Sequence, residues 1–271
     1  MTLKTQPSLR ARRRAAQKVL DQVWRARDAG ALFVQNHSGG KDSQCSMLEV
    51  QEHVPPEQQL VVHATLGRSE WPGALEHARD QAAAAGVPFL VAQSSTHPDL
   101  LSMVRYRFQT RPEVPSWPGT TGRFCTSGLK RGPIEREVRR YAKARGITHI
   151  VNTMGIRGAE SPRRAKACVW EANEKQSVAG RTWMNWLPIH GLSTEEVKRN
   201  LAAAGQQLHP AYTTGNERLS CIFCVFARRG DLINGARQHP ELYQEHVELE
   251  RETGYTLHMS QRSLPEITGI K

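Results

Sequence analysis

The sequence predicts an α/β protein with a doubly wound, mainly parallel sheet and a C-terminal segment that closes its functional site. Short apolar runs alternate with segments of helical periodicity as far as residue 152. This alternation is typical of a parallel sheet with helices on both faces. A glycine-rich turn over residues 38–43 follows the first apolar run. Because right-handed crossovers bring the carboxyl ends of parallel strands to one edge, we expect the loops after these strands to share a cleft.

The first predicted element is a basic amphipathic helix over residues 8–29, whose apolar stripe includes Val23 and Trp24. The apolar run 31–34 is the first predicted strand. Residues 44–52, after the glycine-rich turn, have the pattern of a helix. A strand, a glycine turn and a helix start therefore follow one another directly.

The alternation continues to a fourth strand. Gly86 and Gly146 end two of the helices, since glycine readily adopts the backbone of a helix C-terminus. The elements are, in order, a strand over 60–64, a helix over 73–85, a strand over 89–92, a helix over 99–108, a loop rich in Pro, Gly and Thr over 109–123, a helix over 132–145 and a strand over 149–152.

The pattern changes after residue 180. A short apolar strand is predicted over 183–189, followed by helices over 194–204 and 240–253. Ser193 and Glu196 have the spacing of a capping box at the start of the first of these helices. We divide the chain into a basic helical extension (1–29), an α/β domain with the glycine-rich loop (30–180) and a C-terminal segment packed on the same domain (181–271).

The turn Ser38-Gly39-Gly40-Lys41-Asp42-Ser43 has the composition of an anion-binding loop. Two glycines let the backbone approach an anion, and N–H groups of the loop and the first helical turn can point at phosphate oxygens. Lys41 adds a positive charge, and Ser38 and Ser43 add hydroxyl donors. The common phosphate-loop spacing G-x-x-x-x-G-K-[ST] is absent. An ordinary turn is the alternative, but the preceding strand favours nucleotide binding.

A second polar loop, residues 155–166, follows the fourth predicted strand and should face the glycine loop. Arg157 has a planar guanidinium that can bridge two phosphate oxygens. Glu160 can orient Arg157 or Arg164, and Ser161 can bond a phosphate. The alternative is a surface loop before a strand.

The cysteines form the third candidate site. An odd number of them, five in all, argues against a disulfide framework. Cys221 and Cys224 form a C-x-x-C pair, which suits a metal ion or cluster, a redox dithiol or a buried core. Cys45 is assigned to the core and Cys168 to a structural role. Lys130, Arg131, Tyr212 and Arg218, close in sequence to Cys125 or to the pair, are further candidates for the cleft, with ordinary surface positions as the alternative.

Composition and charge limit the classes of protein to which this chain can belong. Of 271 residues, 38% are hydrophobic, which is enough for a core, and no apolar run approaches the ~18 residues of a membrane span. No apolar stretch of a secretory signal follows the basic N-terminus, so we expect a cytoplasmic protein. The formal charge is +11, with basic clusters over 10–18 and 136–145. Such clusters attract nucleic acids, and a merely solvated basic face is the alternative.

Taken together, these motifs resemble the phosphoadenosine-phosphosulfate reductase superfamily, in the branch of phage and DNA-phosphorothioation proteins. The glycine-rich turn resembles the PP-loop of ATP pyrophosphatases, which cut ATP between the α and β phosphates. The resemblance covers roughly residues 30–230. Its motifs are S-G-G-K-D-S at 38–43, E-W-P-G at 70–73, R-F-C-T-S-G-L-K-R-G-P at 123–133, G-I-R-G-A-E-S-P-R-R-A at 155–165, L-P-I at 187–189 and H-P-A-Y-T-T-G-N-E-R-L-S-C-I-F-C at 209–224.

The resemblance implies an adenine nucleotide alpha hydrolase-like fold that binds ATP and Mg²⁺. Its catalytic residues would be Lys41, Asp42 and Arg157, with Asp42 assigned to Mg²⁺. The residues expected at the nucleotide are Ser38, Gly39, Gly40, Lys41, Asp42, Ser43, Thr65, Gly155, Arg157, Glu160, Ser161 and Arg164.

The resemblance also implies a [4Fe–4S] cluster held by Cys125, Cys221 and Cys224. Related reductases use four thiolates, and only one cysteine occupies the first motif in this chain. The fourth ligand is left open: it could be Cys168 or a side chain of another type, or there could be none. A zinc site and plain core cysteines are the alternatives.

The functional prediction is an ATP pyrophosphatase that adenylylates an oxygen and prepares it for sulfur insertion. Nucleic acid is the expected acceptor, DNA before tRNA, with a cysteine desulfurase as the sulfur donor and homo-oligomer formation left open. Reductase activity is disfavoured, because no cysteine follows Cys224 where such reductases carry their nucleophile. The rivals are an adenylyltransferase or ligase on a small metabolite with a structural metal, and a non-catalytic subunit that binds ATP and nucleic acid and senses redox state.

Overall fold

Six strands form one sheet through the middle of the described chain. The structure, a computed structural model, describes residues 9–120 and 122–271, and of residues 9–12 only the backbone. Residues 1–8 of the predicted extension and the side chains of Arg10 and Arg12 thus lie outside the described part. The strands are β1 (Leu32–Asn36), β2 (Gln59–Ala64), β3 (Phe89–Ala92), β4 (His149–Met154), β5 (Trp170–Ala172) and β6 (Thr182–Trp186).

The strand order is β3-β2-β1-β4-β6-β5, and β5 alone runs antiparallel to its neighbour. In the centre, Val34 of β1 pairs with Leu60 of β2 and with Asn152 of β4. Since β1, β2 and β4 are parallel, the loops that follow them leave from the same edge of the sheet. The predicted α/β fold with a mainly parallel sheet is confirmed.

Helices cover both faces of the sheet. They are α1 (Leu9–Asp28), α2 (Lys41–Gln51), α3 (Ala74–Ala84), α4 (Leu100–Thr110), α5 (Gly132–Ala144), α6 (Pro162–Ala165), α7 (Thr194–Ala203), α8 (Arg229–Gln238), α9 (Pro240–Thr253) and α10 (Leu264–Thr268). No described helix combines the length and the apolar character needed to cross a membrane.

Alternation along β1 divides its side chains between two cores. Leu32 and Val34 pack in a cluster with Val138 of α5, on one face. Phe33 belongs to a cluster on the other face with Val23 of α1 and Val50 of α2. The basic N-terminal helix therefore contributes to the main core through its apolar stripe.

The C-terminal helices α8, α9 and α10 build a third core together with α4. Ile222, Phe223 and Val225, in the loop before α8, are buried in it. This packing fixes the C-x-x-C segment, because the residues between and after the two cysteines are anchored.

The sequence did not reveal β5, α8 or α10. β5 has three residues and α10 has five, too short for a periodic signal, and α8 contains Gly230 and Gly235, which weaken helical propensity. β6 begins at Thr182, beyond the predicted boundary at 180, and pairs with β4. The C-terminal segment thus supplies a strand of the central sheet, while the division into three parts stays a prediction.

Candidate functional site

The glycine-rich loop lies between the end of β1 and the start of α2, at the carboxyl edge of the sheet. Gly39 has φ +73°, and a Cβ there would lie 2.6 Å from the carbonyl oxygen of Ala74 at the start of α3. Both the backbone conformation and the close approach therefore require glycine. The N–H groups of the first turn of α2 point out of the same edge, as an anion site needs.

Hydrogen bonds inside the loop hold its shape. The Ser43 hydroxyl donates to the Gly40 carbonyl at 2.7 Å, and the Ser38 N–H donates to the Ser43 oxygen at 3.2 Å. The Gly39 N–H donates to Nδ1 of His37 at 3.1 Å. Burial, with the nearby charge of His63, lowers the pKa of His37 to about 3. The ring is therefore neutral at physiological pH and keeps Nδ1 as an acceptor.

Arg157 joins the loop after β4 to the start of α2. Its Nε donates to Asp42 Oδ1 at 2.8 Å and its Nη1 donates to Thr194 Oγ1, on α7, at 3.2 Å. Asp42 Oδ2 lies 3.9 Å from Lys41 Nζ. The Asp42 carboxylate is thus held between two cations, which are 3% (Lys41) and 4% (Arg157) exposed. A direct contact of Arg157 with phosphate stays a prediction.

Gly155 lets the loop after β4 pack against the first turn of α2. A Cβ at this position would lie 2.6 Å from the Asp42 carbonyl oxygen and 3.0 Å from the Ser43 nitrogen. Because both atoms belong to the backbone, neither can move without shifting α2. Gly155 therefore sets the distance between the two predicted phosphate loops.

Glu160 is the centre of a charge network beside Arg157. One of its carboxylate oxygens, Oε2, accepts the Arg157 N–H at 3.0 Å and pairs with Arg164, and the other, Oε1, lies 3.4 Å from Arg218. Burial opposes ionisation, but these donors together hold the pKa of Glu160 below its usual value. Ser161 caps α6 by accepting the Arg164 N–H at 3.2 Å. Glu160 and Ser161 thus orient the arginines of this loop, as predicted for Glu160.

Thr65 follows β2 and lies at the same edge. Its hydroxyl donates to Glu70 Oε2 at 3.4 Å, and its N–H donates to the Ala92 carbonyl. Glu70 Oε1 lies 2.7 Å from His63 Nε2, although the two are not aligned for a hydrogen bond. Glu70, to which the sequence assigned no role, thereby connects the end of β2 to the cysteine region described next.

The three predicted metal-binding cysteines converge on the C-terminal core. Cys125 precedes a π-helical turn over Thr126–Arg131, and Cys221 forms an isolated antiparallel bridge with Glu70. Cys125, Cys221 and Cys224 are partly buried against the same apolar cluster. Burial raises the pKa of the Cys125 and Cys221 thiols, so both are protonated at neutral pH unless a metal binds.

Lys130 provides positive charge at the three thiols. Burial favours its neutral amine, but when Cys221, Cys224 and Cys125 are thiolates their charges outweigh burial and raise the pKa of Lys130. If the three thiols bind a metal as thiolates, their negative charge requires a nearby cation, and Lys130 supplies one. Cys168 is exposed, and its thiol donates to the Trp170 carbonyl at 3.1 Å on the edge strand β5.

The three thiols are not gathered into one tight group of ligand atoms. Among the described residues, the group of three His, Cys, Asp or Glu ligand atoms that lie within 4.8 Å of one another is Glu49, Glu52 and His53, at the far end of α2. At least one pair of the Sγ atoms of Cys125, Cys221 and Cys224 is therefore farther apart than 4.8 Å in this structure. That these thiols hold a cluster stays a prediction.

Residues 209–220, which we call the strap, cross the mouth of the glycine loop. The Tyr212 oxygen accepts the Lys41 N–H at 3.1 Å, and Lys41 Nζ donates to the Glu217 carbonyl at 2.9 Å. Arg218 reaches Glu160 from the strap. The cleft positions considered for Tyr212 and Arg218 are therefore correct, whereas Glu217 was missed because it acts through its backbone, which leaves no signal in the sequence.

Comparison with known proteins gives a family and a fold. The model of the phosphoadenosine phosphosulfate reductase domain matches residues 33–227 of the chain. An uncharacterised 37.8 kDa protein in the gpa 5′ region of Escherichia phage 186 is 27% identical over 135 residues. That match covers 50% of this chain and 39% of the phage protein, so the chain accounts for less than half the length of this relative.

Two solved structures are similar to this chain. Phosphoadenylyl-sulfate reductase from Candida auris, in a phosphate complex, has a TM-score of 0.50 at 12% identity and covers 80% of this chain and 97% of that chain. The NH₃-dependent NAD synthetase from Campylobacter jejuni, in complex with nitrate, has a TM-score of 0.42 at 11% identity, over 96% of each chain.

Proposed function

The chain belongs to the phosphoadenosine phosphosulfate reductase domain family, and from this premise we propose that it is an ATP pyrophosphatase that activates an oxygen of nucleic acid for replacement by sulfur. The observation that carries the proposal is the glycine loop at the sheet edge, with Lys41, Asp42 and Arg157 held together at the start of α2. A rigid cradle of N–H groups with two fixed cations is suited to a triphosphate.

The first step is adenylylation. An acceptor oxygen attacks the α-phosphorus of ATP, the bond from this phosphorus to the bridging oxygen breaks, and its electron pair leaves with pyrophosphate. Lys41 and Arg157 neutralise the charge that develops on the leaving group, because both are fixed beside the loop and shielded from water. Asp42 would hold Mg²⁺ through Oδ2, and the ion would supply positive charge to the triphosphate.

The second step replaces the activated oxygen. Sulfide attacks the acceptor phosphorus, and the adenylylated oxygen leaves as part of AMP. A DNA backbone phosphate is the acceptor we favour, with a cysteine desulfurase as the source of sulfur and a thiol reductant that releases sulfide from the persulfide of the desulfurase. The absence of cysteine in residues 225–271 supports this chemistry over sulfonucleotide reduction, which in related reductases needs a late cysteine nucleophile.

Cys125, Cys221 and Cys224 would hold a [4Fe–4S] cluster, with Lys130 balancing its negative charge. When bound through three thiolates, such a cluster has one iron free to carry sulfide. The protein's own contribution is to fix the three donors: the π-helical turn after Cys125 and the buried Ile222 and Phe223 determine where the thiols lie.

Contact with nucleic acid is supported by charge. The chain carries +11 formally, and on α5 and just after it the side chains of Arg140, Lys143 and Arg145 are exposed. A polyanion would release counterions on binding such a surface, and its affinity would fall steeply with salt.

Pyrophosphate release tests the proposal. The purified protein is given ATP and Mg²⁺ with DNA, with tRNA or with small acceptors, and Lys41→Met is compared with the control Lys175→Met, an exposed lysine after β5. We expect DNA-stimulated release that Lys41→Met reduces at least about 100-fold, since one oxyanion-stabilising group supplies about that factor. Release that needs only a small acceptor would instead favour the adenylyltransferase alternative, and no release at all would favour a non-catalytic subunit.

The cysteine site has its own test, the iron and acid-labile sulfide content after anaerobic purification. Cys221→Ser should lose both, whereas Cys168→Ser, at an exposed thiol on another edge, should keep them. A colourless protein that cleaves ATP normally would contradict the cluster while leaving the pyrophosphatase intact.

A further inference from the structure

The strap covers the phosphate cradle with its own groups. The Tyr212 oxygen faces the backbone N–H groups of Lys41 and Leu219, so it occupies the position of an anionic oxygen. Burial raises the pKa of Tyr212 to about 12, so a neutral hydroxyl fills this position at physiological pH. Gly40 is equally close to the strap, because a Cβ there would lie 3.2 Å from both Leu219 Cβ and the Tyr212 oxygen.

The strap also engages the lysine of the loop. Lys41 Nζ donates to the Glu217 carbonyl, and it lies 5.0 Å from the centre of the Tyr212 ring. The strap therefore bonds both the backbone N–H and the side-chain ammonium of Lys41. These are the groups that would receive a triphosphate. The groove of about 500 Å³ that lies nearby, between α2, α3 and residues 206–210, is lined by no residue of the loop itself.

The far end of the strap leads directly into the cysteine site. Cys221 is bridged to Glu70, and the Ile222 N–H donates to the Ser69 carbonyl at 2.9 Å. At the near end, His209 Nε2 donates to the Pro72 carbonyl at 3.0 Å. Both anchors therefore lie on the same loop, the one that follows β2.

Between its anchors the strap contains a residue suited to a hinge. Gly215 has φ +119°, and Thr213 and Thr214 beside it are exposed. The residues that follow are bonded to α8, because Asn234 Nδ2 donates to Asn216 Oδ1 at 2.7 Å and the Glu217 N–H donates to Asp231 Oδ1 at 2.8 Å. The strap can therefore move only by turning at Gly215 and together with α8 and the cysteine loop that precedes it.

We propose that the strap is a gate that couples the two sites: a nucleotide phosphate displaces the Tyr212 oxygen from the cradle, the strap moves, and the backbone at Cys221 moves with it. This inference rests on the proposed function, because it takes a nucleotide as the group that displaces Tyr212. The coupling is reciprocal: if nucleotide binding favours one state of the cysteine site by a given factor, that state of the cysteine site strengthens nucleotide binding by the same factor.

The test is the affinity for α,β-methylene-ATP, which binds without being cleaved between those phosphates. Tyr212→Phe removes the competing oxygen but keeps the ring, so we expect binding about three- to tenfold tighter than in the wild type, the range of one net hydrogen bond. Tyr106→Phe loses the same hydroxyl from an exposed ring elsewhere and should not change the affinity.

Hydrogen exchange of the peptide that contains Ile222 tests the coupling. We expect faster exchange when the wild type binds the nucleotide, and exchange already raised in nucleotide-free Tyr212→Phe. The gate would be overturned if Tyr212→Phe bound the nucleotide no more tightly than the wild type. It would also be overturned if hydrogen exchange at Ile222 did not change when the nucleotide binds. If the wild type binds no nucleotide, the proposed function fails too, whereas normal binding without a strap response removes the gate alone.

Discussion

At the scale of single residues, Arg157 was predicted to contact phosphate, and its side chain is held by hydrogen bonds to other residues of the protein. Its guanidinium joins Asp42 of α2 to Thr194 of α7, and it is almost fully buried. A buried cation with a carboxylate partner is costly to disturb, because removing one partner leaves the other charge uncompensated. The same residue therefore has a structural and a proposed catalytic role, and the two can be separated.

Arg157→Lys keeps the positive charge but loses the planar fork that reaches Asp42 and Thr194 together. We expect pyrophosphate release to fall about 10- to 100-fold, a loss of 1.4–2.8 kcal/mol in transition-state stabilisation by the usual conversion of about 1.4 kcal/mol per tenfold. The rate is measured at saturating ATP beside urea unfolding, which separates loss of activity from loss of folded protein. Arg237→Lys, at an exposed position on α8, is the matched control. Full activity in Arg157→Lys would show that the fork is dispensable.

Gly155→Ala tests the close approach of the two loops. Its Cβ would meet three backbone atoms of α2 at 2.6, 2.8 and 3.0 Å, so α2 or the loop after β4 must shift. We expect a loss of about 1–3 kcal/mol in the free energy of unfolding, as for other overpacked sites, together with weaker ATP binding. Gly191→Ala, where a Cβ would meet nothing within 4 Å, is the control in the same urea titration. Equal stability of the two variants would mean that the loops have room to separate.

At the scale of elements, the start of α7 connects helix capping to the site. The Ser193 oxygen accepts the Glu196 N–H at 3.1 Å, and Glu196 Oε2 accepts the Ser193 N–H at 2.7 Å. The next residue, Thr194, accepts from Arg157. The capping box that the sequence predicted therefore also fixes a partner of the site arginine.

Ser193→Ala should destabilise the protein by about 1 kcal/mol, the usual cost of losing an N-cap, and should also weaken ATP binding through Arg157. Ser263→Ala, at the N-cap of α10, where the hydroxyl donates to Glu266 Oε2 at 2.8 Å, should have no effect on ATP binding. Urea unfolding and nucleotide titration of the two variants give the comparison. Equal nucleotide affinities would show that α7 does not position Arg157.

The C-terminal elements show why a single motif was insufficient. The C-x-x-C pair was visible in the sequence, but its relation to Cys125 depends on α8, α9 and α10 packing with α4. Residues 125 and 221 are far apart in sequence, and only the shared core places their thiols on one surface.

At the scale of the whole molecule, buried histidines couple folding to pH. Burial lowers the pKa of His37 to about 3 and of His246 to about 4, from 6.5 in the unfolded chain. Between these values the unfolded state binds a proton that the folded state rejects, so the free energy of unfolding falls as the pH decreases below about 6.5. Each histidine contributes up to about 1.4 kcal/mol per pH unit in this range.

His246→Phe should reduce this pH dependence. The ring lies 4.7 Å from that of Phe223 and also stacks with Trp117, so phenylalanine can keep much of the packing while removing the titrating group. Urea unfolding between pH 7 and 4.5 should give a slope that is lower by up to about 1.4 kcal/mol per pH unit than in the wild type. His149→Gln, at an exposed position, serves as the control. If the pH dependence of the free energy of unfolding were unchanged in His246→Phe, protonation of His246 would not contribute to the loss of stability at low pH.

Sequence patterns were sufficient to predict the α/β class, the order of β1 to β4 along the chain and the glycine loop at the carboxyl edge of the sheet. Periodicity, glycine positions and apolar runs are local properties of the sequence. Three features emerged from the folded chain alone: Arg157 binds Asp42, Lys130 lies among three thiols, and the strap covers the loop. These contacts join residues from 5 to more than 170 positions apart, and most of them depend on how the sheet and the C-terminal helices pack, which no local pattern records.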